Sequence, residues 1–340
     1  MKKLLFIGLA ATAMLASCSN DETVEMAQPS AIGFSNAFVN NGTRSIVDPS
    51  FTKETLGNFA VYGFTQNGQI FDGTTVTSTD QGVTWTYSPL QYWVADNTYT
   101  FGAIAPASVA VSDEKVENGK VTMTVASFTN DGKVDLLHAA PAAIVADANF
   151  VASPSAVSMT FNHQLSKVKF SFANEVGEGY NIKVTNVNIT DAKETGTLTI
   201  GAEHVWSAQT GTLPLDFGDA VAADATTDEA VAIANGGEAE SYNEQLMIPT
   251  GTDATYTVTF TAELLQGTVS VGSFNHTVTI KDVELKLGYC YDFKATLTHE
   301  NIVDPENPLK PIVFTVEKIE NWNNAEESQT LEVPAPETGA

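Results

Sequence analysis

Positive charge is scarce in this chain: 16 Lys and Arg stand against 41 Asp and Glu, a formal charge of −25. Such a surface repels nucleic-acid phosphates and anionic lipid headgroups, so neither is an electrostatic partner. Cysteine is nearly absent. With only Cys18 and Cys290 in 340 residues, no framework of disulfides braces the fold. Sustained apolar spacing of the helical kind is missing, and the apolar run from Leu4 to Leu15 is too short to cross a bilayer. The motifs of common catalysts are missing as well: no G-x-S-x-G, no phosphate-binding glycine loop with lysine, no G-x-G-x-x-G and no H-E-x-x-H. His299-Glu300 begins like the last of these, but Val303 stands where its second histidine belongs. The five histidines, 138, 163, 204, 276 and 299, show no ligand spacing. No catalytic residue, metal ligand or cofactor is expected.

What is present starts with an export signal. Lys2 and Lys3 precede the Leu4–Leu15 run, and Leu15-Ala16-Ser17-Cys18 closes it. A leucine three places before a cysteine, with small residues between, looks like the lipobox of a bacterial lipoprotein. Cys18 would then become the lipid-modified first residue, and loss of residues 1–17 takes the charge to about −27. Membrane attachment would rest on acyl chains, several of which hold where one does not. Residues 19–25, Ser-Asn-Asp-Glu-Thr-Val-Glu, have almost nothing to bury and read as an acidic tether.

From Ile32 onward the pattern is that of short strands. Phe59/Val61/Gly63 and Ala60/Tyr62/Phe64 put apolar groups on both faces of one strand. Val83–Tyr87, Tyr99–Ile104 and Val121–Val125 are further strand candidates. Val168/Phe170/Phe172, Tyr256 to Leu264, Phe274 to Ile280 and Tyr289 to Leu297 alternate. Gly- and Asn-rich breaks separate the strands, which favours antiparallel sandwiches. Val157, Met159, Phe161, His163 and Leu165 share one parity, and Val168, Phe170 and Phe172 the other. A change of face within one extended run requires a bulge or a passage between two packing environments. The expected boundary between two domains lies there, between about Pro154 and Lys167. His163, on the apolar parity, reads as a buried histidine donating to a backbone carbonyl. Cys290 falls on the face opposite the aromatic run and reads as a partly exposed thiol. Asp216, Asp219, Asp224, Asp228 and Glu229 line an Ala- and Gly-rich stretch that lacks the spacing of a calcium loop and reads as solvated. Trp85, Trp93 and Trp206 read as core rather than as a ligand platform.

In order along the chain stand Cys18, Asn41-Gly42-Thr43-Arg44-Ser45, Phe59 to Phe64, Trp85-Thr86-Tyr87-Ser88-Pro89, Gln91-Tyr92-Trp93 and Tyr99 to Pro106. Asp135 to Ala139, Phe161-Asn162-His163-Gln164-Leu165-Ser166-Lys167-Val168, Gly288-Tyr289 and Trp322 follow. In that order the chain resembles the fimbrillins, lipoprotein pilins of Bacteroides-type bacteria. The resemblance implies an all-β fold of two tandem transthyretin-like antiparallel sandwiches. The expected division is a signal peptide (1–17), a tether with a removable first strand (18–44), an N-terminal sandwich (45–160), a C-terminal sandwich (161–322) and an acidic tail (323–340). It further implies a subunit of a cell-surface fimbria serving adhesion, held in the outer membrane by palmitate and other acyl groups on Cys18. Cleavage between Arg44 and Ser45 would remove the first strand, with Ile32, Phe34 and Phe38 as its apolar residues. Other pilin subunits, in a homo- or heteropolymer, would be the partners, joined by strand exchange, and a host or bacterial surface receptor a further one.

The tail offers only Leu331 and Val333 in alternation before Pro334 and Pro336, a weak donor strand. A tip or anchor subunit, or a non-polymerising surface lipoprotein that binds glycan or host protein, therefore stays open beside the polymerising role.

Overall fold

The structure, a computed structural model, describes residues 30–39, 56–303 and 310–321. Among the described residues it is all-β, with twenty-two strands and two short helices, α1 (Ala148–Ala152) and α2 (His299–Ile302). Four sheets carry the strands.

The first sheet runs β1 (Phe34–Val39), β9 (Val157–His163), β7 (Leu137–Ala139), β4 (Asn97–Ala105), β2 (Asn58–Thr65), β3 (Gly68–Thr77), with β8 (Ile144–Ala146) on β4. Both faces are buried at the centre of this sheet, along β2, β4 and β7, as the double apolar pattern of residues 59–64 requires. Phe59, Val61, Phe101, Ala103, Met159 and Phe161 enter a core closed by Trp85, Trp93 and Phe150. Ala60, Tyr62 and Ile104 enter a second core on the opposite face. That face is covered by the second sheet, β13 (His204–Thr210), β12 (Thr195–Ile200), β6 (Lys120–Thr129), β5 (Ser112–Glu117). The two layers come close at Gly102, where a Cβ would lie 2.8 Å from the Cβ of Val121. Only glycine allows that approach.

The remaining sheets form a sandwich. One runs β15 (Ala220–Val221), β17 (Glu238–Ser241), β10 (Ser166–Asn174), β21 (Tyr289–Leu297), β22 (Phe314–Asn321), with β18 (Gln245–Met247) on β10. The other runs β14 (Leu213–Gly218), β11 (Tyr180–Ala192), β19 (Thr250–Gln266), β20 (Val269–Leu285), with β16 (Ile233–Ala234) on β11. Phe170, Phe172, Phe293 and Phe314 from one sheet meet Val184, Phe217, Val258 and Phe260 from the other in one core.

Three sequence expectations need correction. Val83–Tyr87 is not a strand: Gln81, at φ 58, and Gly82 turn the chain, Val83 is exposed, and only Thr86 bridges to Thr77. The hairpin β12–β13 does not stay with the C-terminal sandwich, because β12 pairs with β6 from Thr195↔Thr129 to Ile200↔Met123. Cys290 is on the face opposite Tyr291 and Phe293, as its parity requires, but it is buried among Leu165, Leu246 and Ile248. Cys290 shares that core with Leu198 and Ile200 of β12.

Candidate functional site

The segment Ser30–Val39 has the geometry of an inserted strand. β1 lies at the end of the first sheet and pairs in parallel with β9, Phe34 opposite Val157 and Val39 opposite Phe161. Its partner is far away in sequence, so no tight turn ties the two strands together. Just before β1 the chain is held on both sides. Ile32 N donates to Gln91 O (2.8 Å), Trp93 N to Ser30 O (3.0 Å), and Val157 N to Gly33 O (2.8 Å). The Tyr87 hydroxyl donates to Ile32 O at 2.6 Å.

Ile32 and Phe34 are 1% and 5% exposed, so this short segment supplies core, not cover. The Phe34 ring meets Phe59, Phe71, Tyr87 and Phe101 edge-on, with centroids 5.5–6.1 Å apart. Burial of each side chain contributes roughly 1.5–3 kcal/mol. Without the segment, β9 would present an unpaired edge above an aromatic cavity. Phe38 lies in β1 opposite Thr160. Cys18, Arg44, Ser45 and Trp322 lie outside the described residues, as do 323–340.

The change of parity marks a real passage. Phe161 ends in the first core, Leu165 lies in the core between the first two sheets, and Val168 opens the core of the C-terminal sandwich. The expected carbonyl partner of His163 is replaced by a carboxylate: its Nδ1 contacts Asp135, and both side chains are fully buried. Asp135 also accepts from Leu136 N at 2.8 Å. The pair clamps the chain to the end of β9 where it leaves the first sheet. Gln164 continues the clamp. Its Oε1 lies 2.7 Å from His204 Nδ1, and its carbonyl accepts from Trp206 Nε1 at 2.8 Å.

One juxtaposition was not visible in the sequence. His138 and His204 pack edge to face, 5.0 Å apart. Burial first, then His204 and Lys120, push His138 down to about 3, so it is neutral in ordinary conditions. No group of three or more His, Cys, Asp or Glu among the described residues could hold a metal ion. Trp85 and Trp93 are core, and Trp206 packs edge-on against Phe128. Asp224, Asp228 and Glu229 are exposed loop residues.

Asp292 has its own consequence. It is 4% exposed on the outer face of β21 and accepts from the Ser171 hydroxyl at 2.8 Å. Burial raises it to about 6, against the opposing effects of the Ser171 hydrogen bond, Lys169 and Lys294. An acid raised in the folded state destabilises above that value, and the cost is relieved as pH falls through 6 towards 4. Asp292→Asn keeps an acceptor for Ser171. It is expected to add about 1–3 kcal/mol at pH 7.5 and almost nothing at pH 4, measured by urea unfolding at both pH values. An equal gain at both would refute the assignment.

The sequence profile of the fimbrillin-like family matches residues 43–322. Among solved structures, a fimbrial protein from Bacteroides vulgatus superposes with a TM-score of 0.56 at 15% identity, covering 85% of this chain and 99% of that one. A Bacteroides ovatus protein described as a candidate cell adhesion protein superposes with a TM-score of 0.50 at 14% identity, covering 87% and 98%. No curated protein matches the chain. At these identities the structural likeness speaks for the fold, and the profile, spanning most of the chain, for the family. The chain belongs to the fimbrillin-like family.

Proposed function

We propose that this protein is a structural subunit of a cell-surface fimbria that serves adhesion. It is exported as a lipoprotein, held in the outer membrane through Cys18, and released for assembly by cleavage between Arg44 and Ser45. The observation that carries the reading is the seat of Ile32 and Phe34. A parallel end strand, tied by no tight turn to the strand it pairs with, supplies buried side chains to the first core.

Once the chain is cut at Arg44, only non-covalent contacts hold that strand. Its departure exposes unpaired backbone on β9 and the cavity lined by Phe59, Phe71 and Phe101. An extended segment of another subunit satisfies both at once, since backbone pairing supplies affinity and alternate side chains fill the pocket. Membership of a fimbrillin-like family and the likeness to a fimbrial protein support the same reading. The acidic surface suits a protein that meets its neighbours through backbone and apolar contacts.

Blocking the cut tests the proposal. Surface extract of the wild type is expected to give an SDS-resistant ladder on unheated gels, and Arg44→Ala monomer alone. A ladder that survives the substitution would sink it.

A further inference from the structure

Sheets end in unpaired backbone, and proteins ordinarily protect those ends with charge, proline, a bulge or shortness. Several ends of this molecule follow the rule. β5 carries Asp113, Glu114, Lys115 and Glu117, β14 carries Pro214 and Asp216, and β22 carries Glu317 and Lys318. β15 has two residues, and β13 is kinked at Ala208, φ 48.

β20 does not follow it. It spans 17 residues at the end of its sheet, and among the described residues its strand partner is β19 alone. Pairing with β19 is unbroken over nine residues, from Tyr256↔Ile280 to Leu264↔Gly272, and the register shifts only on either side of them. Residues 269–280, Val-Ser-Val-Gly-Ser-Phe-Asn-His-Thr-Val-Thr-Ile, contain no acid, lysine, arginine or proline. Their outer face shows Ser273, Asn275, Thr277 and Thr279, all exposed, and Val269 and Val271 are 65% and 50% exposed. In a chain of charge −25, so long a neutral strand-forming end, regular from Gly272 to Ile280, is out of keeping with the charged, short or kinked ends named above.

We infer that β20 is a lateral contact between two copies of this chain, paired antiparallel with itself about a two-fold axis. A two-fold sets the same edge against itself, so a charge near the axis would meet its own copy, and this stretch has none. A partner of opposite charge would call for charge on the edge to select it. Aligning the regular stretches Gly272–Ile280 about an axis at His276 sets Ser273 against Thr279 and Asn275 against Thr277, and leaves Asp282 and Glu284 of each copy beyond the pairing. The two sheets become one continuous sheet, and the contact is separate from the β1 seat. It goes beyond the fimbrial assembly proposed above, since it needs neither cleavage nor a donated strand.

The test uses the uncut chain with Cys18→Ser, so that neither acyl chains nor strand exchange contribute. Sedimentation at rising concentration is expected to show a monomer–dimer equilibrium. Thr277→Lys, at an exposed position, is expected to weaken it roughly tenfold or more with thermal unfolding unchanged. A mixture of Asn275→Cys and Thr277→Cys chains, whose cysteines face one another in this register, is expected to cross-link under oxidation, and a control cysteine at Glu117 on β5 is not. A monomer at all concentrations, or a dimer indifferent to Thr277→Lys and cross-linked no better at these sites than at Glu117, would overturn the inference.

Discussion

Phe34→Ala is expected to lower the stability of the uncut protein by about 3–5 kcal/mol, the range for removing a buried phenylalanine. Phe34 is 5% exposed and surrounded by four aromatic rings, so the substitution leaves a cavity that the neighbouring rings cannot close without losing their edge-on contacts. The second half of the prediction distinguishes a removable strand from ordinary core. In the assembled, cut form the residue is gone, and the same substitution is expected to leave polymer stability unchanged. Denaturant unfolding of the uncut chain and heat resistance of the polymer measure the two states. An uncut variant as stable as the wild type would show that the seat contributes little. A polymer weakened by the substitution would show that the strand stays.

Arg44→Ala is expected to abolish polymer formation altogether while leaving the monomer folded. The effect is large because the competition is intramolecular. While β1 remains on the same chain as β2, it sits beside its own groove at high effective concentration, and a strand from another molecule cannot compete. Cutting the tie removes that advantage. Replacing residues 41–45 with the recognition sequence of an unrelated protease is expected to restore assembly when that protease is added. Assembly by the Arg44→Ala chain would contradict the mechanism. So would failure of the cut replacement to assemble while correctly folded.

Strand identity was legible wherever alternation ran long. Tyr256 to Leu264 and Tyr289 to Leu297 became the inner faces of β19 and β21, because a half-buried strand must alternate. The parity change near Leu165 was legible for the same reason, and the chain does pass between cores there. Pairing was not legible. Alternation reports which face a residue occupies but not which strand lies beside it, so the transfer of β12 onto β6 left no mark in the sequence. The burial of Cys290 was hidden for the same reason, since the residues that share its core come from other parts of the chain. The carboxylate partner of His163 was hidden similarly, since Asp135 reaches it through the fold and not through spacing. Within the candidate site, apolar content singled out Ile32 and Phe34, whereas the parallel partner β9 and the bonds to Gln91 and Trp93 came only from the structure. Val83–Tyr87 misled because its apolar residues outweighed the turn at Gln81-Gly82.

The proposed export, cleavage and exchange converge on one chemical fact, the identity of the first residue in the assembled protein. Intact mass and fragmentation of the amino terminus, taken from fimbrial material sheared off the cell surface, read it directly. The account predicts a chain that begins at Ser45, without lipid and without Ile32 and Phe34. A chain that begins at acylated Cys18 in the assembled material would contradict it.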